Sequence, residues 1–325
     1  MQRLSLRRRP RTDDQVSARP NRDVLFDEAL LARIRALSLT PRHISNEGLA
    51  GEHRSKRRGS SPEFADFKSY SQGDDFRRID WNIYSRLGTL FVRLSEVTTE
   101  LPVHFLLDAS ASMIWTGSPS RPSKFTIARQ MTGMLAYLGL QRFDRVTIAP
   151  FSDGFGPMFG PAQGRSAIQP MLSYVSSARA KGITNLPRAL EHYVQERKRP
   201  GFLLLISDLM SGEPEELGNA LRRYRARGWE IALLQVLDPA ELDPEQMASS
   251  VEERDAIDLL DVESGERLRL ALTDEVVERC REATAAWMAE IEAVCMREQI
   301  VRVQIDTSQS TSDLLRELTS VGVIG

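Results

Sequence analysis

Cysteine and histidine are scarce: two and four, respectively, among 325 residues. Cys280 and Cys295 fall on one expected helix. Fifteen positions at ~1.5 Å each put them roughly 20 Å apart, beyond disulfide reach. A reducing cytoplasm is therefore the expected location. The histidines (His43, His53, His104 and His192) follow no metal-ligand or triad spacing, so neither a zinc site nor Ser-His nucleophilic chemistry has support. No apolar run approaches the ~18 residues of a membrane span. The opening stretch MQRLSLRRRPRT lacks the apolar centre of a secretory signal. An excess of one charge is also missing. The net charge of -2 gives no global attraction to nucleic acid. There is no G-x-x-x-x-G-K-[ST] phosphate loop, so that motif gives no support for nucleotide hydrolysis.

What is present reads as an ordinary globular chain, 41% hydrophobic and 27% charged. From residue 101 onward, strand and helix patterns alternate. Expected strands are Val103 to Leu107, Arg145 to Phe151, a short edge strand at Phe155 to Phe159, Phe202 to Ile206, Glu230 to Leu237 and Ile300 to Ile305. Between them lie expected helices at Lys124 to Leu140, Arg165 to Val175, Leu186 to Arg197, Glu213 to Arg227 and Asp274 to Gln299, with a last one at Ser312 to Leu318. Residues 239-272 interrupt the alternation, and a hairpin insertion is expected near 256-272. The fold class is α/β, a doubly wound and mostly parallel sheet. In the strand order 3-2-1-4-5-6 the first and fourth strands are neighbours, and ligands bind at their carboxyl ends. Asp108 ends the first strand and Asp208 the fourth, so two residues a hundred positions apart are expected to meet.

Upstream, residues 1-22 are arginine-rich and read as a disordered, solvated arm. A helix is expected at Asp27 to Leu37. Residues 23-100 are taken as an extension packed on the core of the 101-325 domain, because the charged segment 48-95 still holds Phe64, Phe67, Tyr70, Phe76, Trp81, Tyr84 and Phe91. The run GDDFRRIDW reads as a buried ion-pair cluster around Trp81, Asp80 pairing with Arg77 or Arg86.

Three stretches carry the candidate chemistry: Asp108-Ala109-Ser110-Ala111-Ser112, then Thr184 in a loop, then Asp208 after a strand. They offer two carboxylates and three hydroxyls, all hard oxygen donors that suit Mg2+ first, with Mn2+ or Ca2+ as alternatives. A turn with hydroxyl caps and no metal accounts for Asp-x-Ser-x-Ser taken alone.

This pattern resembles the metal-ion-dependent adhesion site of von Willebrand factor A domains. Upstream, Gly51, Ser55, Gly59, Glu63-Phe64, Tyr70, Gly73-Asp74-Asp75, Arg77-Arg78-Ile79-Asp80-Trp81, Ser85-Arg86 and Gly88 resemble the signature of the bacterial family called domain of unknown function 58. The resemblance implies Ser110 and Ser112 as direct ligands, Thr184 as a conditional one, and Asp108 and Asp208 acting largely through water. It implies an open coordination position that takes an acidic residue of a partner protein. It also implies an adaptor role beside a MoxR-type AAA+ ATPase. On this reading the chain is not an enzyme and binds no nucleic acid. The alternative is a metal-dependent phosphatase-like hydrolase with Asp108 as nucleophile. Ser110 stands where such enzymes carry a second aspartate, and Lys124, at a helix start, is expected to be solvated.

Overall fold

The computed structural model describes residues 5-6, 32, 34-41, 64-72, 74, 76-95, 100-197, 199-243, 257-260, 267-270 and 273-325. Two compact units form: residues 1-44 with 101-325, and residues 45-100. Within the expected arm, Ser5-Leu6 form a strand (β1). The rest of the arm, residues 27-31 of the expected first helix and Gly51, Ser55 and Gly59 of the signature lie outside the described residues.

The smaller unit holds strand β2 (Phe64-Ser69), helix α1 (Trp81-Leu87) and strand β3 (Phe91-Ser95), with β2 and β3 antiparallel. The last aspartate of the GDDFRRIDW run is a helix cap. Asp80 accepts the backbone N–H groups of Asn82 and Ile83 through one carboxylate oxygen, at 2.9 and 3.2 Å. Gly88 ends the helix in the left-handed region, at φ 65°. Trp81 is 62% exposed, so it is not the buried centre expected of this run, whereas Asp80 is buried. Asp80 starts a helix here, and the first helical side chain points outward.

The larger unit is organised by β4 (Pro102-Asp108), α2 (Lys124-Gln141), β5 (Arg145-Phe151), β6 (Phe159-Ala162), α3 (Ile168-Ser177), α4 (Leu186-Glu196), β7 (Phe202-Ser207), α5 (Pro214-Ala226), β8 (Glu230-Leu237), α6 (Pro239-Leu242), β9 (Ile257-Leu260), β10 (Arg267-Leu270), α7 (Asp274-Arg297), β11 (Val301-Asp306) and α8 (Thr311-Ser320). The strand order β11-β8-β7-β4-β5-β6 is the expected doubly wound one. All neighbours are parallel except β5 and β6. The edge strand comes later than expected. Phe155 makes only an isolated bridge to Phe151, and pairing with β5 resumes at Phe159. β9 and β10 form the expected antiparallel hairpin, and β1 pairs with β9.

The sheet is buried on both faces, as parallel strands covered by crossover helices must be. Alternation divides each strand between two cores. Val103, Phe105 and Leu107 of β4 face Ile127, Met131 and Leu135 of α2 and Leu314 and Leu318 of α8. Leu106, with Leu203 and Leu205 of β7, faces Leu190 and Tyr193 of α4, Leu221 and Tyr224 of α5, and Ile291 and Val294 of α7. Helix α7 has Val277 buried near its start but packs mainly through its carboxyl-terminal half. Cys295 is buried there, whereas Cys280 is exposed.

His104 sits in this second layer, with Nδ1 2.8 Å from the Tyr193 hydroxyl and its ring edge-on to Trp229. Burial first, then the charges of Arg197 and Arg145, lower its pKa from 6.5 to about 4. The sign of the pH effect follows. Above pH 6.5 the imidazole is neutral in both the folded and the unfolded chain. As pH falls from 6.5 towards 4, only the unfolded chain takes up the proton, so the fold loses up to about 3 kcal/mol. In urea unfolding between pH 7 and 4, the stability difference between the wild type and His104→Gln should carry this slope, since the raised carboxyls of Asp108 and Asp144 act with the opposite sign in both chains.

Candidate functional site

The sheet reverses its winding direction between β4 and β7, and the crevice at their carboxyl ends holds the candidate residues. Asp108 is the last residue of β4. Its Oδ1 accepts the Ser110 N–H at 3.0 Å, and its Oδ2 accepts the Ser207 hydroxyl at 2.6 Å. The turn is completed from the neighbouring strand and loop. Ala109 N–H donates to the Phe151 carbonyl, Ala111 N–H to the Gly182 carbonyl, and Lys181 N–H to the Ala109 carbonyl. The last two bonds seat the Thr184 loop beside the serines.

The Ser110 and Ser112 hydroxyls lie 2.9 Å apart, and Ser112 Oγ reaches Asp208 Oδ2 at 3.4 Å. Residues 96 positions apart thus share one contact. Asp208 is held in place from three sides. Its Oδ1 accepts Met210 N–H at 3.0 Å, its carbonyl accepts Gln235 Nε2 at 3.0 Å, and Leu209 N–H donates to Ser207 Oγ at 3.1 Å. This turn puts Leu209 at φ 57°, a left-handed conformation that costs a residue with a Cβ about 1-2 kcal/mol.

Thr184 is brought to the rim and is buried, but its hydroxyl donates to the Ser152 carbonyl at 3.3 Å. Its own carbonyl accepts the Ser211 hydroxyl at 2.8 Å. Asp108, Ser110, Ser112 and Asp208 are therefore in hydrogen-bonded continuity through their own atoms and Ser207. Thr184 joins them through its loop.

Lys124 departs most from expectation. As the first residue of α2 it was expected to be solvated, yet it is 1% exposed. Its Nζ donates to Asp208 Oδ2 at 2.9 Å and to Glu241 Oε1 at 2.6 Å. The correction has a physical cause. A lysine opposes the positive amino-terminal end of a helix, and here two carboxylates offset that cost. Burial disfavours the lysine's charge, but Asp208 and Glu241 outweigh it and hold its pKa above the ordinary value. Glu241 also closes a capping box with Asp238 on α6, and Asp238 pairs with Arg121 at 2.9 Å.

The site is electrostatically loaded. Burial, then the neighbouring Asp208, pushes the Asp108 carboxyl up to about 6. Burial likewise raises Glu241. Among the described residues this network holds three carboxylates, Asp108, Asp208 and Glu241, and one ammonium, that of Lys124, which pairs with Asp208 and Glu241. When all are ionised this leaves two negative charges in a water-poor cup, a costly arrangement that one divalent cation would balance. The donor set also fits such an ion, because hydroxyl and carboxylate oxygens are hard ligands. Among the described residues no group of three or more His, Cys, Asp or Glu is placed to hold a metal, so hydroxyls must supply part of any coordination. Lys124, Ser207, Gln235 and Glu241 were not read as site residues in the sequence. The one available signal was a lysine opening a helix that has no acid in its first turn.

The chain is 26% identical, over 269 residues, to uncharacterized proteins of Mycobacterium tuberculosis and Mycobacterium bovis, covering 82% of this chain and 81% of each relative. Among solved structures it is similar to manganese-loaded TRAP protein of Plasmodium vivax, with 13% identity and a TM-score of 0.32 over 42% of this chain and 57% of that one. It is also similar to an uncharacterized membrane spanning protein from Vibrio fischeri, with 12% identity and a TM-score of 0.23 over 69% of this chain and 98% of that one. No helix among the described residues is long and apolar enough to cross a membrane. Residues 66-292 match the family described as protein of unknown function DUF58, and the chain belongs to that family.

Proposed function

We propose that the chain is a divalent-cation-dependent docking protein, an adaptor rather than an enzyme. Its cup, formed by Ser110, Ser112, Thr184, Asp108 and Asp208, receives an acidic residue of a partner. The observation that carries this reading is the meeting of the Ser110 and Ser112 hydroxyls with Asp208 at the switch point of the sheet, in surroundings with two carboxylates more than ammonium groups. Ser110 and Ser112 would hold the ion directly, with Thr184 beside them. Asp108 would act through the Ser110 turn it fixes, and Asp208 through its contact with Ser112. When bound, the ion supplies positive charge that neutral hydroxyls do not cancel, which is what a partner carboxylate needs. Mg2+ is the first choice for such oxygen donors, with Mn2+ or Ca2+ as alternatives.

The rim supports a protein partner over a small anion. Ile114, two residues after Ser112, is 48% exposed, and Ile183, next to Thr184, is 51% exposed. Exposed apolar side chains on both site loops suit a macromolecular contact with an acidic residue at its centre. The resemblance described above makes a MoxR-type AAA+ ATPase the first partner to test. The phosphatase alternative is disfavoured by Asp108 itself, which is buried with each carboxylate oxygen already accepting a hydrogen bond from a serine, an arrangement that holds it back from in-line attack.

In a pull-down with a MoxR-type ATPase, the chain should retain the ATPase in Mg2+ and release it in EDTA. Retention that is equal in both conditions contradicts the cation-dependent reading. Steady hydrolysis of p-nitrophenyl phosphate that Asp108→Asn stops would revive the phosphatase.

A further inference from the structure

We infer that Lys124 sets the cation affinity of the cup, acting as a resident counter-charge that competes with a bound ion for Asp208. The inference rests on the reading of the cup given above and adds a residue to it. One oxygen carries the argument. Asp208 Oδ2 accepts Lys124 Nζ at 2.9 Å and the Ser112 hydroxyl at 3.4 Å. An ion held by Ser112 would therefore lie within a few ångströms of the ammonium and draw on the same carboxylate.

The ammonium is fixed there. It is nearly inaccessible to water, and its second partner, Glu241 Oε1 at 2.6 Å, belongs to a capping box whose other acid, Asp238, is held by Arg121 and by the Thr307 hydroxyl. Lys124 thus ties the metal cup to α6, the short helix that follows β8. Two results follow from Coulomb's law. Without an ion, Lys124 offsets part of the acid-acid repulsion and keeps the cup assembled. With an ion, the same charge opposes binding and keeps it reversible. At an effective dielectric constant near 20, a unit charge several ångströms from a divalent ion weakens its binding by more than roughly tenfold.

The test is a Mn2+ titration of the full chain against Lys124→Met, which keeps most of the length of the side chain and removes its charge. Circular dichroism and thermal unfolding verify that each chain is folded. We expect Lys124→Met to bind Mn2+ at least about tenfold more tightly than the wild type and to be less stable than the wild type in EDTA. Should Lys124→Met not fold, Lys124→Gln, which can still donate to one carboxylate, carries the same expectation. A folded variant that binds Mn2+ equally or more weakly than a Mn2+-binding wild type overturns the role of Lys124 and leaves the cup reading standing. Absence of Mn2+ binding in both chains overturns both. Binding by the variant alone supports the counter-charge role and overturns only the claim that the native cup takes an ion.

Discussion

Asp208→Ala is expected to destabilise the metal-free chain by about 3-4 kcal/mol. Three contributions decide the figure. Removing one partner of a buried ion pair costs roughly 3-5 kcal/mol, because the remaining charge stays out of water. Lys124 keeps Glu241, whose side chain is 16% exposed, so its charge is only partly satisfied after the substitution. Loss of the bonds from Met210 N–H and the Ser112 hydroxyl adds about 1 kcal/mol each. Against these stands relief for Asp108, whose carboxyl Asp208 helps to push up to about 6. That relief is the smaller effect, since burial is the larger cause of the shift and is unchanged. Urea unfolding in EDTA measures the sum. Pairing Asp208→Ala with Lys124→Met should cost less than the sum of the two single substitutions, since the interaction between the two groups is lost only once. A loss below about 1 kcal/mol, or strict additivity of the two substitutions, would show that the pair does not hold the cup together.

Replacing both site serines, Ser110→Ala with Ser112→Ala, is expected to abolish cation binding and cation-dependent docking while sparing the fold. Their hydroxyls bond to each other and, through Ser112, to Asp208. The turn itself is secured by backbone groups: Ser110 N–H on Asp108, and Ala109 and Ala111 N–H on the Phe151 and Gly182 carbonyls. Alanine leaves all of those bonds in place. Structural cost should stay near the ~1 kcal/mol of a lost hydroxyl contact. The loss of affinity should exceed the ~10-100-fold that even outer partners of a metal typically supply.

How much of this was legible follows from which forces act locally. The buried parallel strands write themselves as apolar runs such as Phe202 to Ile206, so the order of the sheet and the meeting of Asp108 with Asp208 were readable. Ser110 and Ser112 stood out only through the resemblance and their place after a strand end, because Asp-x-Ser-x-Ser taken alone also fits an ordinary hydroxyl-capped turn. The edge strand was misplaced because Phe155 offers the same apolar signal as Phe159, and only the pairing with Val146 and Ile148 decides between them. Trp81 was misread because aromatic character signals burial until a cap such as Asp80 sets which way the helix faces. Lys124 was missed because its environment comes from Asp208 and Glu241, 84 and 117 positions away. Such a long-range ion pair leaves no periodic trace in the chain.

The central claim is that the serine hydroxyls and the aspartates form one oxygen-lined cup for a divalent ion. Mn2+ titration followed by electron paramagnetic resonance tests it most directly, because free Mn2+ gives a sharp signal that binding removes. The wild-type chain should take up one Mn2+ per molecule, displaceable by Mg2+, and the Ser110→Ala, Ser112→Ala chain should take up none. Uptake by the double-serine variant equal to that of the wild type would contradict the account.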